Sequence, residues 1–426
     1  MLISVHAHDL FGQSRGEIEM IHKYTCQNGV RVVLEKMPYV RSVAIGIYVK
    51  AGSVNETEAE WGLSHFIEHM LFKGTSTRSA KMIAEQFDRM GGDLNAYTAK
   101  EMTCFYTTVL DYHAEQAIDI LSDMLFHSNF DEVEIEKEKS VILEEIASIE
   151  DTPDDDVDER LWTQMYADHP IGKSIGGTAE TIGSFDRNSI KNFMERHYTP
   201  DKIVISIAGN YDDRLLKRIE SLFGSTDAHQ KQNNSNEAVR IPNFHSGITS
   251  KRKEIEQAHI SIGYPGLSIK DEKLHDLILL DSIVGGTMSS RLFQEIREDK
   301  GLAYTVFSYY SSYTSIGSFV IYAGTNPENV DKMMESIDRI VMDTQRDGVT
   351  EEELSNAKEQ LKGSFILGLE SSEAIMHRNG RNELILGEHK SVREVVELID
   401  RVNLADVGKM AYEMFRKDRA VSIIAP

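Results

Sequence analysis

The sequence predicts an α+β fold of two homologous domains, each a mainly antiparallel sheet with helices packed on one face. With 426 residues, the chain is too long for one ordinary core. Three segments of its first part recur in the same order in its second part. Each copy begins with strand patterns in which apolar and polar residues alternate. Long helical patterns follow, and strands and helices do not alternate strictly along the chain. This mixture is typical of helices layered on an antiparallel sheet.

The repeat is clearest at the end of each copy. Residues 193–209 and 412–426 both give an amphipathic helix, a short polar turn and an apolar strand. Two further pairs of segments precede them in matching order: 63–75 with 274–287, and 131–150 with 350–370. Recurrence of three segments in one order indicates a duplicated domain.

A polar stretch separates the two copies. Residues 224–240, GSTDAHQKQNNSNEAVR, lack apolar periodicity and predict an exposed linker. We therefore expect an N-terminal domain over 20–223 and a C-terminal domain over 241–426. Residues 1–19 lack the basic start and the long apolar stretch of a secretory signal, and we interpret them as a tail or an added segment.

Net charge, the length of apolar runs and the cysteine count argue against several classes of protein function. A formal charge of −23 argues against nucleic-acid binding, which depends on basic surface. No apolar run approaches the roughly 20 residues of a membrane-spanning helix, so we expect no membrane association. Only two cysteines are present, which favours a reducing compartment and hence a cytoplasmic location.

The stretch GLSHFIEHMLFKGT (62–75) carries the most specific chemical signal. It contains no proline, and its apolar residues recur at spacings of three and four, so a helix with one buried face is predicted. His65 and His69 would project from the same side of that helix, with Glu68 beside them. Two imidazoles at this spacing can hold one zinc ion, and the carboxylate can reach a water bound to it. The alternative is two histidines that line a core by coincidence.

Catalytic zinc usually keeps three protein ligands, and the best source of the third is EIEKEKSVILEEIASIE (134–150). Helical spacing places Glu138 and Glu145 about two turns apart on one face. One could bind the metal and the other could support it, but the spacing does not say which. A solvated acidic face is the alternative interpretation.

At this point the chain resembles the inverted-zincin peptidases of the pitrilysin type, especially the half-length branch that includes mitochondrial processing peptidase and its bacterial relatives. Besides GLSHFIEHMLFKGT, the resemblance rests on four further motifs in order: GGDLNAYTAKEMTCFY (91–106), EKEKSVILEEI (136–146), HYTPDKIVISIAG (197–209) and LFQEIREDKGLAYTV (292–306). It implies one Zn²⁺ per chain, held in the N-terminal domain.

The resemblance also assigns roles to the acidic residues. It implies that Glu145 is the third zinc ligand with His65 and His69, that Glu138 is a supporting glutamate, and that Glu68 is the general base. In the second copy, the positions aligned with the HxxEH motif hold Leu277, Leu280 and Asp281. The C-terminal domain is therefore not expected to bind zinc in this way.

The resemblance further implies a substrate site. Asn95 and Ala96 lie on the segment that resembles the family's edge strand, to which a peptide adds as a further strand. Arg297 and Tyr304 resemble residues that reach the substrate, and in the half-length branch they act across a dimer interface. We therefore expect a homodimer or a dimer with a homologous chain. The alternatives are that Arg297 is a surface cation and Tyr304 a sheet residue.

The sequence thus predicts a zinc endopeptidase that acts on peptides or unfolded segments. The alternative is a non-catalytic core-type or partner subunit of a processing peptidase complex. An acidic stretch, EDTPDDDVDE (150–159), follows the predicted ligand helix. Near an active site, Asp155 and Glu159 would favour basic residues close to the cleaved bond, although such stretches are more often only solvated.

Overall fold

The computed structural model describes residues 21–224 and 241–426, so the predicted tail and nearly all of the predicted linker lie outside the described residues. The first half contains six strands: β1 (His22–Thr25), β2 (Arg31–Lys36), β3 (Ser42–Val49), β4 (Asp93–Thr98), β5 (Thr103–Leu110) and β6 (Ile203–Gly209). They form one sheet in the order β1-β2-β6-β3-β5-β4. Strand β4 is therefore an edge of this sheet.

The second half contains five strands: β7 (Gly247–Arg252), β8 (Ala258–Pro265), β9 (Ala303–Ser312), β10 (Gly317–Thr325) and β11 (Ala420–Ala425). Their order is β7-β11-β8-β10-β9, which matches β2-β6-β3-β5-β4 position by position. In both sheets the first neighbouring pair of that order is parallel and the others are antiparallel. The shared topology agrees with the predicted duplication and confirms the predicted fold class.

Helices complete each half. The first half contains α1 (Leu63–Leu71), α2 (Ala80–Met90), α3 (Ala114–His127), α4 (Glu132–Asp151), α5 (Pro153–Met165), α6 (Ala179–Ser184), α7 (Arg187–His197) and α8 (Arg214–Ile219). The second half contains α9 (Leu274–Asp281), α10 (Val330–Asp347), α11 (Glu351–Leu367), α12 (Ser372–Arg381), α13 (Val392–Arg401) and α14 (Leu404–Phe415). None of the helices in the described residues is long and apolar enough to cross a membrane.

One face of each sheet packs against helices of its own half, as predicted. The opposite face is covered by a helix from the other half, which the sequence analysis does not predict. Helix α12 packs on β3 and β6 of the first sheet, while α5 packs on β8 and β11 of the second. Because both faces of the central strands are covered, β3 is a continuous apolar run rather than an alternating one.

The exchange of helices brings the backbone of α12 very close to a side chain of the first sheet. A Cβ added to Gly380 of α12 would lie 2.1 Å from the ring of Tyr48 on β3. The Tyr48 hydroxyl lies 2.6 Å from Nδ1 of His377, one turn earlier in the same helix. The two halves are thus interlocked through side chains that lie more than 300 residues apart in sequence.

Candidate metal and catalytic site

The predicted motif helix is present as α1, which begins after Gly62 in the left-handed region (φ 91°). Its apolar residues are buried, so the histidines lie on the remaining face. The start of the helix is fixed by Glu56, whose carboxylate accepts hydrogen bonds from the backbone N–H groups of Gly62 and Ser64 at 2.9 and 2.7 Å. Free N–H groups at a helix start attract such an anion. Even so, burial raises the pKa of Glu56 to about 7.

The two histidines of the motif point at the same small volume. Nε2 of His65 lies 3.1 Å from Nε2 of His69. Burial, followed by the neighbouring His69, lowers the pKa of His65 to about 4, so its imidazole is neutral at physiological pH. A neutral imidazole is the form that binds a metal ion.

Helix α4 brings Glu145 to the same volume. Its Oε2 lies 3.8 Å from Nε2 of His65 and 3.6 Å from Nε2 of His69. Zinc bonds of about 2.0–2.1 Å in a tetrahedron place ligand atoms roughly 3.3 Å apart, so the three donors fit a zinc ion. The Glu145 side chain is 45% exposed, which leaves this side of the cluster open to solvent.

Glu138, two turns before Glu145, lies behind His69. Its carboxylate is buried, with Oε1 2.8 Å from Nδ1 of His69 and Oε2 2.5 Å from Nζ of Lys73. The carboxylate can accept the Nδ1 proton of His69, and this tautomer leaves the Nε2 lone pair directed at the cluster. Lys73 supplies the positive charge that a buried carboxylate needs. The structure thus separates two glutamates that helical spacing alone leaves equivalent.

Glu68 is not one of the three residues whose ligand atoms converge. Its Oε2 accepts a hydrogen bond of 2.5 Å from the hydroxyl of Thr98, the last residue of β4. Burial raises the pKa of Glu68 above its ordinary value, although the Thr98 bond opposes this shift. A carboxylate with a raised pKa, held beside a group of metal-ligand side chains, is suited to accept and return a proton.

The edge strand β4 runs past this site. It pairs with β5 through Asn95↔Tyr106 and Ala96↔Phe105, and its other edge has no strand partner among the described residues. Asn95 is exposed, whereas Ala96 packs toward the core of the first half. Alternate N–H and C=O groups on the outer edge of a strand are free to pair with an added peptide.

The predicted pair Arg297 and Tyr304 lies elsewhere. The Arg297 guanidinium stacks at 4.8 Å on the ring of Tyr304, which is 77% exposed at the start of β9. The far end of β9 leads to a turn in which the Thr314 N–H donates to Glu101, three residues beyond Thr98. Tyr304 and Thr314 are ten residues apart along the chain, most of them in β9, and this length spans roughly 30 Å. The structure therefore does not bring this pair to the His65 cluster of its own chain.

Acidic side chains from the start of α5 lie next to α4. Asp155 is exposed, and Glu159 lines an open cavity of about 420 Å³ together with Ile146 and Glu150 of α4. Ile146 directly follows Glu145, so the cavity and the group of metal-ligand residues lie along neighbouring parts of α4. In the second half, α9 places Leu277 and Leu280 in the apolar core, and no three-ligand cluster forms there among the described residues.

Sequence reasoning misses three residues that shape the site. Lys73 lies two residues beyond the end of α1, so its position four residues after His69 is only an approximate signal. Thr98 could be found only as the end of the predicted edge strand. Glu56 carries no sequence signal, because its role depends on a loop that folds back onto the start of α1.

Two family models match the chain. The model described as Insulinase (Peptidase family M16) matches residues 31–179, and that described as Peptidase M16 inactive domain matches residues 184–361. The chain is 50% identical to a Bacillus subtilis protein named "Uncharacterized zinc protease YmxG", over 96% of this chain and 98% of that one. It is 37% identical to an uncharacterized zinc protease of Mycobacterium leprae, over 94% of this chain and 91% of that one.

Solved structures share the fold. A protease from Helicobacter pylori superimposes with a TM-score of 0.88 at 22% identity, covering 96% of this chain and all of that chain. A Pseudomonas fluorescens structure titled as a peptidase M16 inactive domain gives 0.86 at 18% identity, covering 95% and 98%. On these matches, and with the HxxEH helix and its distant glutamate in place, the chain belongs to peptidase family M16, the insulinase family, as a half-length member of the pitrilysin type.

Proposed function

We propose that the protein is a zinc-dependent endopeptidase. The observation that carries this proposal is the convergence of Nε2 of His65, Nε2 of His69 and a carboxylate oxygen of Glu145, with Glu68 adjacent and Glu138 behind. A purely structural zinc site has no use for the adjacent base. Similar chains are named zinc proteases, which supports the same conclusion.

Each residue has a defined task in peptide hydrolysis. Zinc, when bound by His65, His69 and Glu145, supplies Lewis acidity that polarises the carbonyl and acidifies water. Glu68 takes the proton of the attacking water and passes it to the leaving amine. Glu138 keeps His69 in the tautomer that binds through Nε2.

The edge strand β4 suggests the class of substrate. We propose that an extended peptide adds to β4 alongside Asn95 and Ala96, which brings its backbone past Glu68. Strand addition uses main-chain hydrogen bonds, so it accepts many sequences but requires an unfolded segment. Substrates would therefore be peptides or unfolded regions of proteins.

The acidic cavity suggests a preference for basic residues near the cleaved bond. Asp155 and Glu159 would attract a lysine or arginine side chain of the bound peptide. Replacing both by alanine should reduce cleavage of a basic peptide more than that of a matched neutral one. Equal losses on the two peptides would remove this part of the proposal.

We propose that the active assembly contains two chains, as a homodimer or with a homologous chain, because Arg297 and Tyr304 lie too far from the site of their own chain. Mixing two inactive homodimers, Glu68→Gln and Tyr304→Ala, tests this idea. If the tyrosine acts across the interface, half of the re-formed dimers hold one complete site, and about a quarter of the wild-type rate returns. If it acts within its own chain, mixing restores nothing.

The central experiment compares wild-type protein with Glu68→Gln in the cleavage of a quenched basic peptide, with bound zinc determined in both. We expect the wild type to cleave and the variant to keep its zinc but lose activity. Bound zinc without cleavage in both proteins would favour the alternative, a non-catalytic partner subunit.

Both cysteines are free and buried, which fits the cytoplasmic location that we propose.

A further inference from the structure

A hydrogen bond joins the proposed base to the proposed substrate strand. Oε2 of Glu68, on α1, accepts a bond of 2.5 Å from the hydroxyl of Thr98, the last residue of β4. Glu68 makes no other hydrogen bond or ion pair among the residues that the structure describes. The carboxylate ends a side chain with several rotatable bonds, so this one contact is what fixes its direction.

Thr98 itself is held firmly. It pairs with Thr103 on β5, and the turn that follows is closed by the N–H of Ala99, which donates to the carbonyl oxygen of Met102 at 2.8 Å. Thr103 is buried, and its hydroxyl donates to the carbonyl oxygen of Ala51 at 2.9 Å. Branching at Cβ further restricts the Thr98 side chain. The donor that holds Glu68 therefore belongs to a rigid end of the sheet.

Strand alternation explains why Thr98 meets α1. Ala96 and Thr98 lie two residues apart and therefore on one face of β4. Ala96 packs against the core of the first half, which includes buried residues of α1, whereas Tyr97 packs on the opposite face with residues of α12. The outer edge of β4, to which we propose that the peptide adds, runs between these two faces. Glu68 is thus held by the same strand that would fix the peptide backbone.

We propose that Thr98 is a positioning residue, which fixes the Glu68 carboxylate relative to a peptide bound along β4. This proposal rests on the proposed function, because it takes Glu68 as the base. The Thr98 hydroxyl has one proton to donate, and Oε2 of Glu68 accepts it. Oε1 is therefore the oxygen that takes the proton of the attacking water and returns it to the leaving amine. Because its proton is committed to Glu68, Thr98 does not donate to the reacting carbonyl.

Loss of the hydroxyl should slow the chemical step without weakening the binding of the peptide. A positioned general base contributes about 10²- to 10⁴-fold to a rate, and a displacement of about 1 Å can cost roughly 100-fold. Thr98→Val keeps the branched shape and removes the hydroxyl, so we expect the rate constant to fall by about 10- to 100-fold. The backbone edge of β4 is unchanged in this variant, and the peptide Kd should stay within about twofold.

Single-turnover cleavage of a quenched peptide, with enzyme in excess, separates the chemical step from product release. Thr98→Ser keeps the hydroxyl and should keep most of the wild-type rate. Thr108→Val is the matched control, because it removes a threonine–glutamate bond of 3.2 Å, to Glu373, elsewhere on the first sheet. Its rate should equal that of the wild type. An unchanged rate in Thr98→Val overturns the proposal, as does a Thr98→Ser rate as low as that of Thr98→Val.

Peptide Kd is measured by fluorescence anisotropy in the Glu68→Gln chain, with and without Thr98→Val. A loss confined to Kd would mean that Thr98 only shapes the strand, which overturns the proposal.

Thermal unfolding of the zinc-free chain tests the contact without substrate or metal. The change in Tm caused by Thr98→Val is compared in the wild type and in Glu68→Leu. Only the wild type loses a hydrogen bond to a charged group, so its Tm should fall by roughly 2–3 °C more. Equal changes in the two backgrounds overturn the proposal. Failure of the proposed function is visible separately, as wild-type protein that binds zinc but cleaves no peptide.

Discussion

Replacing Gly380 by alanine tests how tightly α12 of the second half is seated on the first sheet. The new Cβ would lie 2.1 Å from Cε2 and 2.5 Å from Cδ2 of Tyr48, which is fully buried. Carbon atoms in contact lie about 3.5–4.0 Å apart, so the ring or the helix must move by more than about 1 Å. Overpacking typically costs about 1–3 kcal/mol, against the roughly 1 kcal/mol that alanine gains over glycine in a helix. At the upper end of that range, the free energy of unfolding falls by about 2 kcal/mol.

Gly363 provides a matched control, because it also lies inside a helix of the second half. No atom lies within 4 Å of a Cβ added there, so Gly363→Ala should raise the free energy of unfolding by about 1 kcal/mol. Urea unfolding followed by circular dichroism compares the two variants with the wild type. If both substitutions stabilise the protein equally, α12 is not packed on Tyr48 as described. The conclusion that this contact interlocks the two halves would then be wrong.

Three further predictions concern the site. The folded pKa of Glu56, about 7, lies above its unfolded value of about 4.5, so the folded chain binds the extra proton and stability falls as pH rises between these values, by up to about 3 kcal/mol. Glu56→Gln should lack this component in unfolding experiments across that range, whereas the exposed control Glu58→Gln should parallel the wild type. Lys73→Met should weaken zinc binding on the order of tenfold in a chelator competition, because it leaves Glu138 without its cation, and an unchanged affinity would contradict the role given to Lys73. Added zinc at about a hundred times its Kd should stabilise the wild type by about 2.7 kcal/mol in thermal unfolding but leave His65→Ala unchanged, and equal stabilisation of both would place the ion elsewhere.

The sequence by itself determined the features that depend on local spacing. The period of the apolar residues predicts α1, and the same period places His65 and His69 on one side of it. Recurrence of segments predicts two similar halves, and their matched strand orders agree with it. Local spacing left Glu138 and Glu145 equivalent, because it gives the face of a helix but not the neighbour that the face meets.

Only the tertiary structure decided which groups meet across long separations. It directs Glu145 to the two Nε2 atoms and Glu138 to Nδ1 of His69, because α4 crosses α1 in one particular register. It also covers each sheet with a helix from the other half, and over a short separation it folds the loop that carries Glu56 back onto the start of α1. Contacts of this kind depend on how whole elements pack, and such packing leaves no periodic signal in the residues that make the contact.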